Sequence, residues 1–323
     1  MDGRSISLIQ AVAMSQQAIH HYGGTLSYAP NFAYALCAKR VRDAEVAGLD
    51  LSTWRIAANG AEPVLAPTLE AFAGRYAAHG FRAEAITPIW GLAENVTVAT
   101  CHPVGTRFVV DRVDRGALVR DGVAQPTSGD GVEVVSVGRA VPRSAVEVRD
   151  DVGRVLPERR VGAIWLRSDS LCTGYHGEPD ETARRLVDGW LDTGDRGYLA
   201  GGALYFVARE KDLVVVGGEK YAPHDIEAVI NRVPGVREGC AVVLGVLSEE
   251  RGTEEVAAVV ETRGVDAAGE PALREAIQVA VARATGLGLR HLLLVPPGGV
   301  EKTTSGKLAR RATRARYADR LRG

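Results

Sequence analysis

Over its first hundred residues the chain switches repeatedly between helix-forming stretches and short apolar runs. That alternation buries its apolar side chains only when helices are layered on a sheet. Residues 8–20 (LIQAVAMSQQAIH) have helix-forming composition, and Gly23-Gly24 ends the segment. Phe32 to Val41 reads as a second helix after Pro30-Asn31. Trp54-Arg55-Ile56-Ala57 reads as a short strand running into an Asn59-Gly60 turn. Thr68 to Tyr76 reads as a third helix, with Pro67 near its start. These segments predict a layered α/β body.

From about residue 101 the texture becomes β-rich. The runs 132–137 (VEVVSV), 145–149 (AVEVR) and Ala163-Ile164-Trp165-Leu166 are separated by Gly, Pro and Asp, and Gly201-Gly202 joins two further strands at 197–200 and 203–207. A β-rich subdomain is therefore expected over about 101–200. A boundary falls near Asp212, giving domains of 1–211 and 212–323. The second reads as a smaller α/β unit. Val214 to Val216 is a strand, and Pro223 opens a helix with Ile226, Val229 and Ile230 on one face. Residues 241–246 and 256–260 are strands, Ala272 to Ala284 a helix and Leu292 to Val295 a strand. A chain of 323 residues is long enough for two such cores.

The balance of 39 Lys and Arg against 40 Asp and Glu argues against a broad nucleic-acid or anionic-membrane surface. Arg310, Arg311, Arg314, Arg316, Arg320 and Arg322 read as one face of a solvated helix. Cys37, Cys101, Cys172 and Cys240 are far apart and form no Cys-x-x-Cys pair, so structural zinc is not expected. Met1-Asp2-Gly3-Arg4 shows no cationic-then-apolar targeting pattern, and reduced thiols in a cytoplasmic protein follow as the expectation. No apolar run approaches the ~18 residues of a membrane span.

Five segments carry candidate chemistry. Glu301-Lys302-Thr303-Thr304-Ser305-Gly306-Lys307 is a small polar loop presenting a lysine, able to wrap a phosphate or carboxylate. It is not a Walker loop, because Glu301 and Leu308 stand where Gly and Ser/Thr are required. Taken alone, Lys307 reads more readily as a surface lysine, and the neighbouring motifs reverse that reading. Asp195, after Thr193-Gly194, could accept ribose hydroxyls or simply close an Asx turn. Arg209 and Asp212 could be a surface pair, Glu94 a helix-start carboxylate and Trp90 a core aromatic. No Gly-x-Ser-x-Gly elbow, His-Glu-x-x-His or Gly-x-Gly-x-x-Gly occurs, and His20-His21, Cys101-His102 and His224-Asp225 read as structural.

In order and spacing, Asn59-Gly60-Ala61-Glu62-Pro63, Trp90-Gly91-Leu92-Ala93-Glu94, Trp190 to Asp195, Arg209 to Asp212 and the Lys307 loop resemble the carboxyl-terminal motifs of the adenylate-forming superfamily. Ala29-Pro30-Asn31-Phe32-Ala33-Tyr34 and Trp54-Arg55 resemble fatty acyl-AMP ligases more closely. The stretch from Cys101 to Val137, with Val137-Gly138-Arg139, looks like the insertion that separates those ligases from acyl-CoA synthetases. The resemblance implies ATP- and Mg²⁺-dependent conversion of a fatty acid to acyl-AMP. The acyl group would then pass to the phosphopantetheine thiol of an acyl carrier protein, as in polyketide and lipid metabolism. It implies that Gly60, Ala61 and Glu62 line the adenine site beside Gly91, and that Trp90 stacks on the base in place of the usual Tyr. It further implies that Glu94 holds Mg²⁺, Asp195 the ribose hydroxyls and Arg209 the ribose side. Asp212 would be the hinge of a mobile small domain, and Lys307 would bridge carboxylate and α-phosphate.

Glu301 stands where that family usually has Pro. The family's Ser/Thr/Gly phosphate loop, amino-terminal to all these segments, has no counterpart, so the layered body is expected to be truncated and to expose an apolar edge. A separate or preceding segment supplying that loop, or self-association, would complete it. A non-catalytic binding or scaffold remnant and an acyl-CoA synthetase are the alternative functions.

Overall fold

The computed structural model describes residues 8–129, 131–248, 251–303 and 306–321, with side chains from Val12 onward. The Met1–Arg4 start and the Thr304-Ser305 part of the lysine loop lie outside the described residues. Two compact units form. One is Met1–Asp114 with Gly122–Val207, and the other is Arg115–Asp121 with Ala208–Gly323.

The first unit begins with α1 (Leu8–Tyr22), β1 (Leu26–Ala29), α2 (Asn31–Arg40) and a single turn, α3 (Asp43–Val46). β2 (Ile56–Asn59), α4 (Ala66–Tyr76), β3 (Ile86–Trp90) and β4 (Thr100–Cys101) follow. Strands β1, β2 and β3 are parallel neighbours, with Leu26 opposite Ile56 and Ala57 opposite Ile86. Strand β4 continues the sheet antiparallel to β3. The predicted 54–57 strand starts later, at Ile56. Trp54 is spent on the core instead, its indole N–H donating to the Ile56 carbonyl at 3.0 Å.

Aromatic packing locks the helices to this sheet. Phe72 of α4 is fully buried and meets Tyr34 of α2 edge-on at 4.9 Å and Phe81 at 5.0 Å. The Tyr76 hydroxyl lies 2.9 Å from Gln16 Oε1 and 3.1 Å from the Cys37 carbonyl, tying α4 to α1 and α2. Pro30 cannot cap α2 with a side chain, so the cap comes from elsewhere. The Phe32 N–H donates to Glu62 Oε1 at 2.5 Å, an anion at a helix amino terminus.

The remaining strands of this unit are β5 (Val110–Val113), β6 (Val132–Val135), β7 (Arg139–Ala140), β8 (Ser144–Arg149) and β9 (Gly162–Ser168). After α5 (Pro179–Arg185) come β10 (Leu186–Val187), β11 (Trp190–Ala200) and β12 (Ala203–Arg209). Strand β7 closes the first sheet beyond β4, and β5 and β6 form a hairpin. Strands β10, β11, β9 and β8 form an ordered sheet, with β12 also on β11. The hairpin is anchored by Asp111, which accepts the Tyr198 O–H at 2.8 Å and pairs with Arg159 at 3.0 Å. Burial first, and then this carboxylate, push the Tyr198 phenol well above its usual range.

In the second unit, β13 (Val214–Val216) and β14 (Glu219–Tyr221) form a hairpin, followed by α6 (Pro223–Ile230). Strands β15 (Val236–Ser248), β16 (Thr253–Thr262) and β17 (Leu289–Val295) make a three-stranded sheet, with α7 (Glu270–Thr285) between the last two. Alternation along β15 sorts its side chains. Ala241 and Val243 join Ile226, Ile230 and Ile277, while Val242 and Leu244 join Val300, Tyr317 and Leu321. Helices α8 (Arg310–Arg316) and α9 (Ala318–Leu321) end the described chain. No helix among the described residues is long and apolar enough to cross a membrane.

Two outcomes follow from this packing. Phe72→Ala leaves a cavity at the centre of the aromatic cluster and is expected to lower unfolding free energy by about 3–5 kcal/mol, measured by urea titration. Glu62→Ala removes the α2 cap and is expected to cost about 1 kcal/mol in the same assay without added nucleotide.

Candidate functional site

In an open α/β sheet the ligand crevice lies beyond the carboxyl ends of the parallel strands. Here those ends carry Ala29-Pro30 after β1, Asn59-Gly60 in and after β2, and Trp90-Gly91 in and after β3. A cavity of about 270 Å³ opens there, lined by Tyr28, Ala61, Ile89, Gly91, Leu92 and Ala93 among others.

The local backbone is specialised for close approach. A Cβ on Gly60 would stand 2.8 Å from the Ile89 carbonyl oxygen, and one on Gly91 only 1.6 Å from that of Thr97. Ala61 takes φ +67 and Val96 φ +65, left-handed conformations that are costly for side-chain-bearing residues, the β-branched Val96 above all. Buried Asn31 and Asn59 brace the turn: Asn59 Nδ2 donates to Asn31 Oδ1 at 3.5 Å, and the Leu65 N–H donates to the same oxygen at 3.1 Å.

Asp195 reaches the site through an irregularity in β11. Register against β9 shifts between Asp192 and Arg196, and Gly194 takes φ +70. The Gly194 N–H donates to Asp192 Oδ1 at 3.1 Å and the Asp195 N–H to Thr193 Oγ1 at 3.2 Å. The turn is thus closed by the side chains of Asp192 and Thr193 and not by that of Asp195, whose carboxylate is buried against Trp90. Asp195 is 7% exposed, and the Trp90 indole N–H donates to its Oδ2 at 2.9 Å. Trp90 itself is 6% exposed among Ala99, Val137, Ile164 and Leu166.

Glu94 sits in a 3₁₀ turn (Ala93–Asn95), where the Tyr175 hydroxyl donates to its Oε1 at 3.1 Å. Burial and this carboxylate push the Tyr175 phenol up to about 12, so it remains a donor at neutral pH. No group of three His, Cys, Asp or Glu side chains that could hold a metal occurs among the described residues. Glu94 as a single carboxylate fits Mg²⁺, which commonly takes one or two protein carboxylates and completes its shell with substrate phosphates and water.

Of the expected site residues, Ala61 and Gly91 line the cavity, while Gly60, Glu62, Trp90, Glu94 and Asp195 belong to the same unit. Arg209, Asp212 and Lys307 belong to the second. Asp212 ends a 3₁₀ turn (Glu210–Asp212) and lies 3.8 Å from the Arg310 guanidinium, which also pairs with buried Glu227 at 2.6 Å. Burial raises the Glu227 carboxyl above its usual range, and Arg310 opposes that shift. The Lys307 loop is closed by its own backbone. The Gly306 N–H donates to the Thr303 carbonyl and the Thr303 N–H to the Lys307 carbonyl, both at 2.8 Å. Glu301 does not leave an unopposed anion at this loop, because Arg316 pairs with it at 2.8 Å.

Sequence reasoning missed Tyr175, the Asn31–Asn59 brace and the Arg310–Glu227 pair. Tyr175 and Glu94 are 81 residues apart and Arg310 and Glu227 are 83 apart, separations at which no local spacing signal exists.

Comparison with known proteins agrees with this geometry. A family model described as AMP-binding enzyme matches residues 3–176. The long-chain-fatty-acid–AMP ligase FadD28 of Mycobacterium tuberculosis is 34% identical over 312 residues, covering 90% of this chain and 53% of its own. A Caulobacter vibrioides protein named for acyl-CoA synthetase activity is 35% identical over 303 residues, covering 91% of this chain and 52% of its own. A solved structure from a study of fatty acyl-adenylate ligases of E. coli and L. pneumophila superposes with a TM-score of 0.87 at 32% identity, over 95% of this chain and 55% of that one. The chain spans about half the length of the curated relatives it matches. With the crevice, the glycine turns and the inward carboxylate in place, the family match over more than half its length establishes that this chain belongs to the AMP-binding enzymes.

Proposed function

We propose that the chain is the carboxyl-terminal portion of a fatty acyl-AMP ligase, acting with an amino-terminal segment that carries the phosphate loop. The observation that carries this reading is the convergence of Gly60, Ala61, Gly91 and the buried Asp195 around the carboxyl ends of three parallel strands. Asp195 accepts the ribose hydroxyls, and the turns at Gly60 and Gly91 let the backbone approach the adenine. A fatty-acid carboxylate oxygen then attacks the α-phosphorus of ATP, the bond to pyrophosphate breaks, and acyl-AMP forms. Glu94 would hold Mg²⁺, which would supply charge neutralisation at the phosphates. Lys307 supplies a second cation between the approaching anions. In the next step a carrier-protein thiol attacks the acyl carbonyl and AMP leaves.

Leu26 and Tyr28 are exposed on β1, at the described edge of the first sheet. This is the face we assign to the amino-terminal segment. The reading places the reaction in the cytoplasm, where Cys37, Cys101, Cys172 and Cys240, free thiols here, stay reduced.

Domain rotation about Asp212 gives this account its first test. In the complete enzyme, Lys307→Ala is expected to slow acyl-AMP formation by about 10²–10³-fold. Thioester formation from supplied acyl-AMP should fall far less, because the small domain has by then carried Lys307 away. Equal losses in the two half-reactions would reject the two-position scheme.

The acceptor is the second test, since relatives named for acyl-CoA synthetase activity also match. The insertion-like stretch contributes Arg115–Asp121 to the carboxyl-terminal unit, where the turn Ala117–Asp121 packs against β14 and Leu118 is buried. A segment so anchored supports restricted rotation of that unit, which would disfavour coenzyme A. Replacing 115–121 with a Gly-Ser linker spares the Asp111 anchor. It is expected to raise acyl-CoA output from background while adenylation persists. Abundant acyl-CoA from the unaltered enzyme would instead favour a synthetase.

A further inference from the structure

We infer that Trp90 is a positioning residue for the ribose carboxylate, its buried indole N–H fixing the orientation of Asp195. The inference rests on the nucleotide reading of the site and goes beyond it by giving Trp90 a task other than stacking on the base.

Three observations carry it. Trp90 Nε1 lies 2.9 Å from Asp195 Oδ2, and both side chains are more than nine-tenths buried. The indole ring is packed among Ala99, Val137, Ile164 and Leu166, so its N–H direction is fixed by the core and not by a ligand. The cavity at the strand ends is lined by Tyr28, Ala61, Ile89 and Gly91 and by neither Trp90 nor Asp195, so the indole N–H meets the carboxylate and not the cavity.

The chemistry of the donor matters. An indole N–H only donates, whereas a phenolic hydroxyl both donates and accepts. Facing a donor that cannot reverse, Asp195 Oδ2 must accept, which favours one rotamer. Backbone geometry acts in the same direction, since Thr193 Oγ1 accepts the Asp195 N–H at 3.2 Å and the bulge in β11 sets the Cα–Cβ vector. A carboxylate held in one orientation binds ribose hydroxyls without first losing rotamer freedom. Trp90 therefore contributes to selection of ribose over deoxyribose while touching neither.

The test uses the full chain, indole ¹⁵N-labelled, with AMP and 2′-deoxy-AMP as probes. Of the four tryptophan indole resonances, the one lost in Trp90→Phe identifies Trp90. Asp195→Asn is expected to move that resonance upfield by weakening a charge-assisted hydrogen bond. Trp90→Phe should weaken AMP binding on the order of tenfold, the scale of one hydrogen bond to a charged group. It should change 2′-deoxy-AMP binding much less, and Asp195→Asn should reproduce the same selective loss. If the Trp90 resonance ignores Asp195→Asn, the tether does not exist. An equal loss of both nucleotides in Trp90→Phe would reduce Trp90 to packing and overturn the proposal. A wild-type chain that binds no AMP, with the Asp195→Asn shift intact, would overturn the nucleotide reading and the ribose role with it. Should Trp90→Phe fail to fold, Trp54→Phe, Trp165→Phe and Trp190→Phe assign the Trp90 resonance by elimination, and its response to Asp195→Asn still accepts or rejects the tether.

Discussion

Close backbone approach at the ends of β2 and β3 is the constraint on which the first unit's site depends. Gly60 abuts the Ile89 carbonyl and Gly91 the Thr97 carbonyl, at separations no Cβ can share. These contacts bring two strand-ending turns together and force Ala61 and Val96 into positive φ. Strain of this kind persists only where surrounding structure over-determines it. Here the Asn31–Asn59 brace, the Glu62 cap on α2 and the aromatic cluster behind them do so.

The second unit meets a different constraint, a buried charge. Glu227 accepts the Val243 N–H at 3.0 Å and pairs with Arg310, whose Nε finds no hydrogen-bond partner among the described residues. A buried ion pair of this sort offsets its desolvation only through such added hydrogen bonds, and breaking one partner costs far more than the pair itself contributes. Its placement is informative. Arg310 begins α8 three residues after Lys307, and the same guanidinium approaches Asp212. One cation thus sits between the residue proposed as hinge and the loop that presents the proposed catalytic lysine.

Much of this was legible in sequence, because it rests on local signals. Helices α1, α2, α4, α6 and α7 follow from apolar spacing and from glycine and proline punctuation. Strands β15 and β16 follow from apolar runs of β-branched residues. Strands β1 and β3 were not legible. Leu26–Ala29 is too short and too exposed to show a period, and Ile86–Trp90 is buried at every position and contains Pro88. The Gly60, Gly91 and Asp195 segments could be read as candidates from their turn residues. What joins them could not, because the Trp90–Asp195 hydrogen bond spans 105 residues and exists only once β3 and β11 meet in one unit.

The same distinction bears on Trp90 and Glu301, two single-residue departures from the family pattern. Each was read in sequence as a change at a functional position, and each is answered by a distant partner. Trp90 loses a phenolic hydroxyl but gains a donor aimed at Asp195. Glu301 adds a carboxylate near the lysine loop, and Arg316, the last residue of α8, pairs with it. An exposed pair like Glu301–Arg316 contributes little stability, so its consequence is local charge balance. The charge near Lys307 is thereby balanced locally. Departures that look disruptive one at a time are each met in this fold by a partner group that the motif itself does not contain.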